Sequence, residues 1–119
     1  MPLRRFFLLS VAFAGIGLSS PLQARPWVYV NGTSYDGTAE QCLKNAKEAL
    51  AKLGFTDGLE IDKYEKGEKG GFVEGVLPDS PVRAVIECNG SEGVTASAVS
   101  GLDGDLTYKK YSELYKAPW

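Results

Sequence analysis

Two cysteines, Cys42 and Cys88, are the only ones in this chain of 119 residues, and each falls in a segment with a clear periodicity of its own. Around Cys42, the residues Ala39, Leu43, Ala46, Ala49, Leu50 and Leu53 recur at three- and four-residue steps, while Lys44, Lys47, Glu48 and Lys52 take the other side. That is the pattern of an amphipathic helix with Cys42 on its apolar stripe. Around Cys88, Ala84, Ile86 and Cys88 share one face of a strand, opposite Arg83 and Glu87. A bond between the two sulfurs would press the helix stripe against the inner face of that strand. The pair therefore dictates how the domain packs.

Whether the thiols are oxidised depends on the compartment, and the N-terminus speaks to that. Arg4 and Arg5 precede an apolar run from Phe6 to Leu18, broken by Ser19, Ser20 and Pro21, with Ala24 placed as a small cleavage residue before Arg25. Basic start, apolar middle and small residue define a secretory signal peptide over residues 1–24. The run is shorter than the ~20 residues needed to span a bilayer, so no stable membrane anchor is expected after cleavage. Arg4-Arg5-Phe6-Phe7-Leu8 also resembles a twin-arginine export signal, with Leu3 where that pattern has a polar residue. Either route delivers residues 25–119 as a single domain to the periplasm or beyond. An even cysteine pair in such an oxidising place reads as one structural disulfide, Cys42–Cys88. A redox pair would instead sit in a Cys-x-x-Cys loop.

The exported domain predicts as α+β. Trp27-Val28-Tyr29-Val30 is a short β-prone run closed by the turn pair Asn31-Gly32. Thr38 and Gln41 have the spacing of a capping box, and Gly54-Phe55 that of a Schellman closure at the end of the helix. Short strands are expected at Leu59–Tyr64 and Phe72–Leu77, joined by the charged, glycine-bearing stretch Lys66–Gly71. Val82–Cys88 pairs naturally with Val94–Val99 across a turn. A second helix runs from Leu102 to Lys116, capped by Asp103 or Asp105 and stopped by Pro118. The fold class that follows is an antiparallel sheet of about four to five strands with both helices packed on one face.

Composition removes several chemistries. The chain has no histidine, so imidazole bases and mixed Cys/His zinc sites are absent, and two cysteines are too few for a Cys-only metal site. No metal and no cofactor are expected. Loss of Arg4 and Arg5 leaves 11 basic against 15 acidic groups, a balance unsuited to nucleic acid. Asp103-Gly104-Asp105 resembles the start of a calcium loop, but the twelfth position holds Leu114 where a glutamate is required. Lys66–Gly71 lacks the order of a phosphate-binding loop. Thr107 and Lys110 have a nucleophile-like spacing on what reads as a surface helix. The acids Glu60, Asp62, Glu65, Glu68 and Glu74 alternate with lysines, the pattern of a solvated face. They would support a small carboxylate-based hydrolase only if two of them converged in a cleft.

The run Glu40-Gln41-Cys42-Leu43, with Ala46, Ala49-Leu50 and Gly54-Phe55, is followed downstream by Ala84-Val85-Ile86-Glu87-Cys88 and by Val94 to Gly101. In these positions the chain loosely resembles small exported bacterial proteins carried as domains of unknown function, which share a Cys-bearing helix and a later Cys-bearing strand. The resemblance implies a disulfide-stapled α+β domain in the bacterial envelope and carries no catalytic residue with it.

The remaining candidates are aromatic. Trp27, Tyr29, Tyr108, Tyr111, Tyr115 and Trp119 gather near the two ends of the exported chain, and they meet if the first strand lies beside the last helix. Rings that combine an apolar body with a polar tip suit a recognition surface, although tyrosines spaced along a helix also serve to pack it on a sheet. The function expected is that of a non-enzymatic binding, inhibitor or accessory domain, with Tyr108, Tyr111, Tyr115 and Trp119 as the binding residues. Its partner would be a protein or small ligand of the envelope. A structural envelope component that associates through a sheet edge is the other non-catalytic alternative.

Overall fold

A computed structural model describes residues 25–119; the leader expected over residues 1–24, with cleavage after Ala24, lies outside the described residues. The elements follow the order β1 (Trp27–Ser34), α1 (Ala39–Lys52), β2 (Asp57–Lys63), β3 (Gly70–Val76), β4 (Val82–Asn89), β5 (Val94–Gly101) and α2 (Gly104–Lys116). All strands join one antiparallel sheet in the order β1-β5-β4-β3-β2. The fold is α+β, a five-stranded antiparallel sheet with two helices. Among the described residues no helix is long and apolar enough to cross a membrane.

Helix α1 carries the chain from one edge of the sheet to the other. Thr38 opens it, its hydroxyl accepting the Gln41 amide at 3.1 Å. Its far end closes as the spacing predicts. Phe55 N–H donates to the Leu50 carbonyl at 3.0 Å and Gly54 N–H to that of Ala51 at 3.1 Å. Gly54 takes φ of +92°, a conformation that glycine adopts without penalty. The stripe Cys42, Leu43, Ala46, Ala49 and Leu50 is buried against β2, β3 and β4, where it meets Val73, Val82, Ala84 and Ile86. Phe55, fully buried, belongs to the same core.

Cys42 and Cys88 are bonded, with Cα atoms 6.0 Å apart and both sulfurs out of water. Beside them lies Thr95, whose hydroxyl donates to the Glu87 carbonyl at 2.8 Å and sits 3.7 Å from the Cys42 sulfur. Helix α2 starts on Asp103, which accepts the Leu106 amide at 3.1 Å. It settles on β5 and β1 through Leu114 and the fully buried Thr107. Thr107 donates its hydroxyl proton to the Asp103 carbonyl at 2.6 Å, and Lys110 reaches the Leu53 carbonyl at 2.9 Å. The Thr107/Lys110 spacing is thus structural: one residue packs α2, and the other places a cation at the C-terminus of α1, where the helix dipole favours it.

Two boundaries differ from expectation. Strand β1 does not end at Asn31-Gly32; it continues to Ser34, with Asn31 opposite Ser97 and Gly32 opposite Ala96. An Asn-Gly pair makes a hairpin turn only when the next segment pairs with the one before it. Here the next element is a helix and the partner is β5, so the chain stays extended. Strand β2 begins earlier than Leu59 and carries a register irregularity between Asp57 and Glu60. Lys66–Gly71 spans the β2–β3 turn into the first residues of β3.

Two variants test the packing. Replacing Cys42 or Cys88 by Ser will lower unfolding free energy by about 2–5 kcal/mol, measured by denaturant titration; equal midpoints with and without reductant would show that the bond contributes nothing. Gly101→Ala brings a methyl to 2.5 Å from Thr107 Oγ1 and 2.9 Å from a Val82 methyl. It will cost about 1–3 kcal/mol by prising α2 from the sheet, whereas Gly32→Ala, which meets nothing closer than 3.8 Å, will be nearly neutral in the same titration.

Candidate functional site

The pairing of β1 with β5 brings the two ends of the described chain together, and with them the aromatic residues. Tyr29 on β1 stacks on Tyr111 with centroids 5.5 Å apart and meets Tyr108 edge-on at 5.3 Å. Tyr108 and Tyr111 lie 6.5 Å apart, and Tyr111 and Tyr115 lie 6.2 Å apart. Four rings thus form one continuous ladder along the flank of α2. The three- and four-residue steps from Tyr108 to Tyr111 to Tyr115 put them on one side of the helix. Tyr111 is half-buried, its hydroxyl 3.4 Å from the Val30 carbonyl. Tyr108 and Tyr115 remain 55% and 63% exposed. Packing and exposure therefore divide among the tyrosines: the middle ring anchors the helix and the outer two face water.

Trp119 stands apart from the ladder. It is half-buried against the core, and its indole N–H lies 3.5 Å from the Leu114 carbonyl. Its ring separates two concavities. One is an open groove of about 780 Å³ between the C-terminal ends of α1 and α2, bordered by Glu48, Lys52, Glu113 and Lys116. The other is a cleft of about 180 Å³ on the helix side of the sheet, between Trp119 and Tyr115 and over the second half of β1.

The floor of this cleft went unseen in the sequence. Cross-strand partners share a face, so Asn31 with Ser97, and Thr33 with Thr95, form two successive polar rungs on the side where the helices lie. On the middle strand that side is apolar, as Val82, Ala84 and Ile86 on β4 show. Thr95 is committed to the Glu87 carbonyl. The side chains of Asn31, Thr33 and Ser97 make no hydrogen bond to other described residues, and no fully buried side-chain polar atom is left without a partner. Those three groups are therefore open to the cleft. The available signal was β5 itself, where Thr95 and Ser97 precede Val99 on one face; reading Asn31-Gly32 as a turn concealed the partner strand.

The acidic segment does not gather. Glu60 and Glu74 are direct cross-strand partners on the uncovered face of the sheet, where Arg83 pairs with Glu74. Asp62 lies on that same face opposite Phe72. Glu68 borders a concavity shared with Tyr64, Glu87 and Glu92. There Tyr64 packs edge-on against Phe72 and donates its phenolic proton to the Glu87 carboxylate. Among the described residues, no group of three or more acids or cysteines is placed to hold one metal ion.

No family model, curated protein or solved structure matches this chain, so the site has to be read from its own chemistry.

Removal of water from Tyr64, then its hydrogen bond to Glu87 and the charges of Glu87 and Glu68, push its phenol up from 10.0 to about 12. A phenol held protonated in the folded state stabilises it below the unfolded value, and that contribution is lost as pH rises through the folded one. Stability of the parent will therefore fall between pH 10 and 12 more steeply than that of Tyr64→Phe, as followed by circular dichroism. Identical curves for the two proteins would show that the Glu87 contact does not hold the proton.

Proposed function

We propose that this chain is an exported bacterial binding domain without catalytic activity, which recognises a partner in the cell envelope through its tyrosine ladder. The observation that carries the reading is the ladder: Tyr29, Tyr108, Tyr111 and Tyr115 touch ring to ring, and two of them are more than half exposed. Exposed rings are a costly way to finish a surface unless something covers them, and contiguous exposed aromatic area marks interaction sites. Mutual stacking also limits the freedom of the rings before a partner arrives, so less entropy is lost when it binds. Export is supported by the leader pattern of residues 1–24 and by a disulfide of the kind that persists in oxidising compartments.

The placement of Glu60, Asp62 and Glu74 on the uncovered sheet face favours this over a carboxylate hydrolase, whose two carboxyls must face one substrate across a cleft. A structural role through edge pairing has one observation behind it. Strand β1 is an edge strand of eight residues without a charge, whereas the opposite edge, β2, carries Asp57, Glu60, Asp62 and Lys63 and an irregular register. Charges and bulges are the usual guards of a sheet edge.

Native mass spectrometry of the exported protein from its own host separates these readings. A bound mass on the parent will be absent from the double variant Tyr108→Ala/Tyr115→Ala, whose circular-dichroism spectrum will stay that of the folded parent because both residues are more than half exposed. Retention of the bound mass would remove the ladder from the interface, and a homodimer mass that survives the double substitution would favour edge pairing through β1.

A further inference from the structure

We infer that the polar cleft beside Tyr115 is a subsite for one sugar residue of a neutral oligosaccharide, whose following residues run along the tyrosine ladder. The inference deepens the binding reading above and rests on it.

Charge decides the class of ligand first. Asp, Glu, Lys and Arg make up 24% of the chain, yet none of them lines this cleft. A phosphate or carboxylate offers only acceptors and calls for cations or a row of backbone N–H groups; here the floor consists of hydroxyls and an amide. The Ser97 and Thr33 hydroxyls and the Asn31 amide can each donate and accept. Among small ligands, polyols match that: every sugar hydroxyl also donates and accepts, so it can take the place of a bound water without losing its hydrogen bonds.

Shape narrows the class further. The polar floor is bordered by three aromatic residues, Tyr35, Tyr115 and Trp119. A pyranose has hydroxyls around its rim and C–H groups on its faces, so it can present its rim to the rungs while its faces lie against rings. The cleft is small, about 180 Å³, which suits a single ring with its substituents rather than several. Tyr115 borders the cleft and is 63% exposed. That ring is also the last rung of the ladder, 6.2 Å from Tyr111, which continues to Tyr108 and Tyr29. A ligand longer than one unit therefore has a path lined with rings.

The floor is also held for the task. Thr95 is fixed by its bond to the Glu87 carbonyl and by contact with the disulfide, and Ser97 is its neighbour on the same face of β5. Ser97 thus lies beside the disulfide-tied part of the sheet, and Asn31 and Thr33 are held to it by the pairing of β1 with β5.

Trp27, at the far end of the ladder beside Gly104, is the only other tryptophan. A Trp27→Phe background therefore makes Trp119 the sole reporter of the cleft. Maltohexaose, cellohexaose and chitohexaose are titrated to millimolar concentration while Trp119 emission is followed, with inorganic phosphate and choline as the charged probes. At least one hexasaccharide will shift the emission saturably, and the two ions will not. Ser97→Ala and Asn31→Leu, each checked for parental melting, will weaken that binding about tenfold, with Thr33→Val as a third variant should either fail to fold. Tyr108→Ala will weaken the hexasaccharide without changing binding of the monosaccharide. Silence toward all three sugars overturns the inference, as does saturable binding of choline, which would make the aromatic walls a cation cage. Sugar binding undiminished by the floor variants overturns it equally. A native-mass adduct that depends on Tyr108 yet is not displaced by sugar would leave the binding reading standing and remove this one.

Discussion

The bond between Cys42 and Cys88 is the constraint from which the rest of the molecule can be followed. It ties α1, the segment that crosses the sheet from edge to edge, to the middle strand β4, and it closes a stretch of 46 residues. On the chain-entropy model, a loop of that length removes about 4 kcal/mol of freedom from the unfolded state. That is a large share of the 5–15 kcal/mol typical of a whole domain. With α1 pinned at its first buried turn, strands β2, β3 and β4 have a roof. Strand β5 pairs with β4, and β1 and α2 in turn rest on β5. The aromatic ladder and the polar cleft are built from these elements, on the far side of β4 from β2 and β3.

The two helices share one side of the sheet but do not cover all of it. Helix α1 roofs the half formed by β2, β3 and β4, and α2 settles on β5 and β1. Where that roof stops, over the second half of β1 and the first half of β5, inward-facing side chains turn from aliphatic to hydroxyl and amide. An apolar floor there would have left bare hydrophobic surface in water; a polar floor under a continuous roof would have carried unsatisfied groups. On those two rungs Asn31 and Thr33 keep contact with solvent, while Thr95 and Ser97 are nearly buried beside them.

Much of the fold was legible because its signals are local. Thr38, Gly54 and Asp103 mark three helix ends within a few residues of the groups they satisfy, and the Cys42 stripe and the Val82–Cys88 alternation each occupy one segment. What was not legible is non-local. The order β1-β5-β4-β3-β2 depends on which strand accepts β1, and nothing within Trp27–Ser34 names β5 as its partner. For the same reason Asn31-Gly32 read as a turn: the residues that hold it extended lie some 65 positions later, at Ala96 and Ser97. The ladder was visible as six aromatic residues near two chain ends. The cleft was not, because half of its floor sits in that misread strand.

Strand β1 also points the wrong way for its own hydrophobicity. Its valines, Val28 and Val30, lie on the uncovered face and are 57% and 69% exposed, while Tyr29, Asn31 and Thr33 face the helices. A slip of one residue along β5 would reverse this and place both valines under α2. Burial of aliphatic side chains therefore favours a register that the strand does not use. The stacking of Tyr29 on Tyr111 and its edge contact with Tyr108 weigh against the slip, because a slip would carry Tyr29 to the uncovered face. Any ligand that grips the ladder tightens the observed register, and its footprint will extend to slower exchange of the β1 amides, well beyond the atoms it touches.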